Sequence, residues 1–259
     1  MRTEIKELKR IARGNLRGHY SPLIRVLLFS SLVVSLIEMP FSMMTNEIAY
    51  SPQNIIYEIA SLLITIASVV LTVGQYRLHL ILARTGEIHL SEFFEPLKKH
   101  SNRLILTEAL LFGIEFIGLL PLIGAVHIFT HREDVTLYLI ATALMIIGVI
   151  ISMWFTLTFG LVYFALIDNE ELSLLSAVKY IMGFMKSHKK RYLYLTLSFT
   201  GMLLLCILSL GIGVLWVEPY IMQTTTLFYL DIKGELSEVL ENRKKNGPTP
   251  EPVAFNQYV

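Results

Sequence analysis

The sequence predicts an all-α integral membrane protein with six transmembrane helices and with amphipathic interfacial helices at the N-terminus and in the cytoplasmic loops. Three observations lead to this prediction. Apolar residues make up 54% of the 259 residues and charged residues only 17%, a balance that is unusual in soluble domains. Several apolar runs reach the roughly 20 residues that a helix needs to cross a bilayer. Basic residues cluster at alternate ends of these runs, as the positive-inside rule requires.

The first 20 residues predict an amphipathic helix that lies in the membrane interface. Ile5 and Leu8 begin an apolar stripe at helical spacing, with basic side chains on the other faces. Arg10, Arg13 and Arg17 are therefore candidate contacts for anionic lipid headgroups. A second interpretation is that these cations only set the orientation of the first span. The apolar run that follows is too long for the core of a secretory signal, so we expect it to be retained as an anchor.

Six apolar segments follow, and a Ser-Pro pair marks the start of each of the first two. Ser21-Pro22 and Ser51-Pro52 place an N-cap residue before a proline in the first helical turn. The fourth segment corresponds to about 50 Å of helix and is interpreted as one tilted helix. The membrane domain is predicted at 21–232, between a cytoplasmic helix at 1–20 and a cytoplasmic, partly disordered tail at 233–259. The predicted spans lie at about 23–44, 55–83, 104–129, 135–167, 192–208 and 214–232.

Two of the loops between these segments, at 86–102 and 168–191, predict short amphipathic helices that lie at the interface. In the second loop the predicted apolar stripe is formed by Leu175, Val178, Met182 and Met185. Basic residues end both loops. We therefore expect both loops on the cytoplasmic side of the membrane.

The apolar stretch at 192–232 decides the predicted topology. Its only charge before Asp231 is Glu218, and it is long enough for two spans joined by a turn at 209–213. With that division, 21 of the 22 Lys and Arg residues fall on one side and only Arg132 on the other. The positive-inside rule then predicts a multi-pass protein of the cytoplasmic membrane with both termini in the cytoplasm.

The same stretch carries most of a family resemblance, and Ala12-Arg13 to Gly18-His19-Tyr20 adds to it. The residues that match a known family in this stretch are Leu197-Ser198-Phe199-Thr200-Gly201, Gly211-Ile212-Gly213, Leu215-Trp216, Pro219-Tyr220 and Phe228-Tyr229. In these residues the chain resembles the bacterial integral membrane protein family catalogued as domain of unknown function 975, which is common in Gram-positive bacteria. It departs from the family pattern at Met202, where tryptophan is usual, and at Ser187, where glycine is usual. The resemblance implies a multi-span membrane protein and implies no activity.

Ionisable residues inside the predicted spans are the candidates for function, because they are expensive to place in lipid. Glu108 and Glu115 are seven residues apart and share one face of the third span, where they could bind a proton or a cation. Glu108 could instead pair with a basic residue near the headgroups. Glu218 and Tyr220 flank a proline that frees a backbone carbonyl or simply kinks the helix. Glu38 lies two residues before another proline.

Two functional hypotheses follow from these residues. The first is a non-enzymatic membrane protein that binds or transports a small cation, lipid or amphiphile through an interior lined by Glu115 and Glu218. The second is a non-catalytic scaffold or regulator of partner membrane proteins.

Recognisable catalytic and cofactor motifs do not occur in the sequence. We find no P-loop, nucleophile elbow, zinc-protease or dinucleotide motif, and therefore predict neither an enzyme nor a cofactor. His127 and His131 share a helical face, but without a further motif no metal site is predicted. The basic loops are explained by topology, so the lipid bilayer and not nucleic acid is the expected partner.

Overall fold

The computed structural model describes residues 3–44, 52–99, 101–131, 134–169 and 172–246, and within these ranges every regular element is helical. Most of the outer connection predicted at 45–54 (residues 45–51), residues 132 and 133, and the predicted disordered tail beyond residue 246 lie outside the described residues. A 3₁₀ turn occupies Leu90–Phe94. The α-helices are α1 (Ile5–Leu16), α2 (Tyr20–Ser42), α3 (Pro52–Thr85), α4 (Glu95–Lys99), α5 (Ser101–His131), α6 (Val135–Phe159), α7 (Val162–Asp168), α8 (Leu174–Met185), α9 (Lys189–Leu197), α10 (Thr200–Leu208), α11 (Val214–Lys233) and α12 (Leu236–Asn246).

Five helical segments of the described chain are long and apolar enough to cross a membrane, which confirms the all-helical, membrane-embedded class. They correspond to the first five predicted spans. The sixth, α11, is not among them because Glu218, Gln223 and three threonines interrupt its apolar residues. The count of six therefore stays a prediction. The five segments are Tyr20–Ser42, Pro52–Thr85, Ser101–Thr130, Val135–Asp168 and Lys189–Leu208.

Two of these segments contain a break that the sequence did not predict. The fourth span was expected as one tilted helix, but α6 ends at Phe159 and α7 begins at Val162. A Cβ atom at Gly160 would lie only 2.9 Å from the hydroxyl oxygen of Tyr192, so the absence of a side chain lets α9 pack against this break. The fifth span is likewise divided into α9 and α10.

Glycines bring α5 and α6 into close contact. A Cβ atom at Gly118 would lie 2.7 Å from Cγ2 of Ile151, and one at Gly148 would lie 2.4 Å from Cγ of Leu122. Small residues at these positions let the two backbones approach, which is the usual way for helices to pack in lipid.

The apolar face of α1 is covered by protein. Leu8, Ala12 and Leu16 are fully buried, and the helix lies against α11. The structure thus differs from the expected placement of this face in the membrane interface. The free energy falls when an apolar stripe leaves water for any apolar surface, whether lipid or protein. The pattern of the stripe therefore does not show which of these surfaces covers it.

The α8 helix also turns its apolar residues toward protein, and only half of the predicted stripe is correct. Val178 and Met185 are buried, whereas Leu175 and Met182 are exposed. The helix packs against α6 and α7. Its buried residues are Ala177, Val178, Ile181 and Met185.

We call the end of the bundle that holds the C-terminal ends of α3 and α11 the basal end, and a cluster of ion pairs closes it. The side chain of Asp168 is only 3% exposed. Its carboxylate accepts hydrogen bonds from Arg84 Nη1 at 2.8 Å and from Arg84 Nη2, Lys233 Nζ and the Tyr229 hydroxyl at 3.0 Å. Both cations also pair with Glu235. Burial alone would lower the pKa of Lys233, but its hydrogen bonds to Glu235 and Asp168 raise it.

A second basal contact ties the start of the chain to the end of α11. Arg191 Nη1 donates to Asp231 Oδ2 at 2.6 Å, and Asp231 Oδ1 accepts from the backbone N–H of Thr3 at 3.0 Å. Arg191 also donates to the carbonyl oxygen of Thr3. The N-terminal segment is thus held at the basal end by charge-assisted hydrogen bonds, which are stronger than neutral ones.

Candidate functional site

A cavity of about 190 Å³ lies between α3, α5, α6 and α7 and holds two of the predicted glutamates. Glu108 and Glu115 line it from α5, as their seven-residue spacing requires. The placement of both on one cavity is what the sequence predicted for this face of the helix; whether they bind a ligand there stays a prediction. The lining residues are Tyr76, Glu108, Leu111, Phe112, Glu115, Phe155, Thr156, Phe159, Gly160 and Tyr163.

Tyr163 completes the polar wall of this cavity. Its hydroxyl donates a hydrogen bond to Glu108 Oε2, and it comes from α7, beyond the break at Gly160. The break therefore positions a hydroxyl against a carboxylate that the uninterrupted helix was not expected to meet. Sequence reasoning missed Tyr163 because nothing in a single apolar segment indicates which neighbouring helix its tyrosine faces.

Much of the remaining lining is aromatic. Phe112, Phe155 and Phe159 present rings to the cavity, while Thr156 lies at its exposed edge. No Lys or Arg occurs among the lining residues described in this part of the chain. Two carboxylates without a basic neighbour, surrounded by aromatic faces, form an environment that favours a cation.

The structure places Glu218 in a different cavity. This second space, of about 10 Å³, lies between α2, α3 and α11 and includes Gln75 and His79, and it has room for about one water molecule. His79 is buried, and its Nδ1 lies 2.7 Å from Gln223 Oε1.

The two remaining polar candidates are also outside the Glu108–Glu115 cavity. Tyr220 is buried, and its hydroxyl donates to the carbonyl oxygen of Lys9 at 3.5 Å. Glu38, toward the end of α2, accepts a hydrogen bond from Ser61 Oγ at 2.9 Å. The predicted interior lined jointly by Glu115 and Glu218 is therefore replaced by two separate spaces.

The predicted headgroup contacts are all exposed on α1. Arg10, Arg13 and Arg17 face away from the buried stripe of the helix. Arg10 donates two hydrogen bonds to the carboxylate of Glu7, at 2.5 and 2.7 Å, and this pairing lowers the pKa of Glu7. No set of three or more metal-ligating side chains occurs within the described ranges.

The comparisons with known proteins give one result at the level of the family. No curated protein and no solved structure matches the chain. The family model described as "Protein of unknown function (DUF975)" matches residues 1–235, which confirms the resemblance seen in the sequence.

Proposed function

The chain belongs to the DUF975 family, whose description assigns no activity, and on this premise we propose that it binds a small cation or cationic amphiphile inside the membrane. The binding site is the cavity of Glu108 and Glu115. The observation that supports it most is the meeting of two carboxylates and the Tyr163 hydroxyl on an aromatic wall without a basic residue.

The chemistry of the lining sets the class of ligand. An ammonium group between Glu108 and Glu115 would be neutralised by the carboxylates, and the rings of Phe112 and Phe155 would contribute cation–π attraction. Thr156, which lines the cavity, is exposed, and we propose that a ligand with an apolar tail enters on this side from the lipid. Binding of this kind needs no catalytic group, and the proposal is a non-enzymatic protein.

The proposal includes placement in the cytoplasmic membrane with both termini in the cytoplasm. The positive-inside rule supports it, because the basal end gathers the basic loops that precede α5 and α9. The predicted six spans keep the termini together on this side, since an even number of crossings returns the chain to the side on which it began.

The test compares two probes of nearly the same shape. Phenyltrimethylammonium carries a quaternary cation, and tert-butylbenzene is its neutral counterpart. We expect the purified protein in lipid vesicles to bind the cation more tightly. Glu108→Gln and Glu115→Gln should each weaken that binding by about tenfold or more, equivalent to about 1.4 kcal/mol, and leave the neutral probe unaffected.

Glu38→Gln is the matched control, since it removes a carboxylate of the same type outside the cavity. It should leave both affinities unchanged. Equal binding of the two probes to the unaltered protein, or unchanged affinity in both cavity variants, would refute the proposed site.

A further inference from the structure

The α1 helix lies against α11, and its Lys9 reaches the base of the α10–α11 hairpin. The rings of Phe199 and Tyr220 meet there at 5.6 Å. Lys9 Nζ donates to the carbonyl oxygen of Ser198 at 2.8 Å and lies 3.9 Å from the centre of the Phe199 ring. We call this height along the bundle the α1 level.

The α1 level marks a membrane surface. On the outer side of α1, the arginines at 10, 13 and 17 are exposed, and the side chain of Arg10 is 75% exposed. Exposed guanidinium groups are strongly unfavourable in hydrocarbon and favourable among headgroups. Arg10 directly follows Lys9, so a membrane boundary at the ends of α9 and α11 would place its charge within the apolar core. The hydrocarbon therefore begins distal to Phe199 and Tyr220.

The lengths of α2 and α3 give the distance from the α1 level to the opposite surface of the membrane. Leu23 of α2 and Gln75 of α3 line the small cavity that contains Glu218, two residues from Tyr220. From this height α2 continues for about 20 residues to Ser42 and α3 for about 23 residues to Pro52, which is about 30 to 35 Å of helix. Both lengths match the roughly 30 Å thickness of the hydrocarbon core.

The hairpin itself is only half as long beyond the same level. Its two arms run for about 10 residues each, from Phe199 and Tyr220 to the turn at Leu210 and Gly211, which is about 15 Å. We infer that the α10–α11 hairpin enters the bilayer from the basal side, turns near its centre and returns, so that it contacts the lipid of one leaflet only.

The chemistry of the turn agrees with a position in lipid. Leu210 is 93% exposed and Leu208 78%, and the turn segment 209–213 contains no charged residue. By contrast, the connection between α5 and α6 contains Arg132, Glu133 and Asp134, as suits a loop in water. An exposed apolar turn is stabilised by acyl chains and would be destabilised by water.

The backbone of the turn satisfies its own polar groups. Gly211 N–H donates to the carbonyl oxygen of Cys206 at 2.9 Å, and Leu210 N–H donates to that of Ile207 at 3.0 Å. Ser209 Oγ accepts from Gly213 N–H at 2.9 Å. Positive φ angles of 52° at Leu210 and 88° at Gly211 allow this compact turn. Internal pairing of this kind is what backbone at membrane depth requires.

In this topology the hairpin does not cross the membrane, whereas the sequence predicted two crossings there. The C-terminal tail therefore stays on the same side of the membrane as α1. The inference rests on helix lengths and not on the cation site, which lies between α3, α5, α6 and α7 and begins at the α1 level, since Tyr76 follows Gln75 on α3. The hairpin then acts as an apolar wedge in the cytoplasmic leaflet, and its partner is phospholipid.

The experiment measures the depth of the turn in the complete protein. A nitroxide label is attached at Leu210→Cys in a Cys206→Ala background, and the protein is placed in vesicles of phosphatidylethanolamine and phosphatidylglycerol. Collision rates with oxygen and with a water-soluble nickel chelate then report depth. We expect the label to lie about 15 Å from either surface of the hydrocarbon. Labels at Val135→Cys, at the distal end of α6, and at Glu238→Cys, in α12, should both report water.

Impermeant maleimide applied to intact cells gives a second measurement. Val135→Cys should react from outside and Leu210→Cys should not. Nickel accessibility of the turn equal to that at Val135, or labelling of the turn from outside, would overturn the inference in favour of full crossing. Dipolar broadening between labels at position 210 would overturn it in favour of a second copy of the chain as the partner. Circular dichroism of each variant checks that the helices are intact.

Discussion

Asp168→Ala is expected to lower the free energy of unfolding by about 3 kcal/mol. The substitution removes the acceptor of four hydrogen bonds and leaves Arg84 and Lys233 with Glu235 as their shared anion. Breaking a buried ion pair by removing one partner costs about 3–5 kcal/mol. The lower value applies because the side chains of Arg84 and Lys233 are 33% and 23% exposed, so water screens part of their charge.

The assay is equilibrium unfolding in mixed micelles, followed by circular dichroism and by reaction of Cys206, which is buried in the folded protein, with a thiol-reactive dye. Glu241→Ala is the control, since it breaks a pair with Lys245 in which both side chains are 66% exposed. That change should cost less than about 1 kcal/mol. If Asp168→Ala lowered the free energy no more than Glu241→Ala, the basal cluster would not be a source of stability and the reasoning would fail.

Two further substitutions can be measured in the same unfolding assay. Gly148→Leu should lower the free energy of unfolding by about 1–3 kcal/mol, because its side chain would overlap Leu122 and separate α5 from α6. Gly113→Leu, where a Cβ atom meets nothing within 4 Å, should cause no such loss; equal effects would contradict the close approach. Gln223→Leu should cost about 1–3 kcal/mol by leaving the buried Nδ1 of His79 unpaired. Adding His79→Leu should restore part of this, and strictly additive losses would argue against a direct pair.

The long apolar helices could be located from the sequence because membrane thickness sets a length and apolar residues fill it. The structure begins and ends α3 and α5 within a few residues of the predicted spans. The helix at α12 was missed because its charged sequence is typical of a solvated tail. Contacts from elsewhere in the chain hold it: Leu236 is buried, and Arg243 Nη1 donates to Asn15 Oδ1 at 2.7 Å.

The candidate site, too, could be predicted from the sequence only in part. Periodicity within one helix was sufficient to place Glu108 and Glu115 on a common face. It could not bring Tyr163 to Glu108, because that contact depends on the break at Gly160 and on the packing of a different helix. Periodicity also could not show that Glu218 and Glu115 line different cavities, because a pattern along one segment carries no information about which segments are neighbours.

The contact between α1 and α11 joins two helices that are about 200 residues apart in the chain, so α1 is synthesised well before its partner. While the ribosome is still making the middle of the chain, Leu8, Ala12 and Leu16 have no protein surface to cover them. A helix with an apolar stripe and basic outer faces rests stably on an anionic membrane during that time. Docking of α1 therefore has to wait for α11, which supplies the protein surface that covers its apolar stripe.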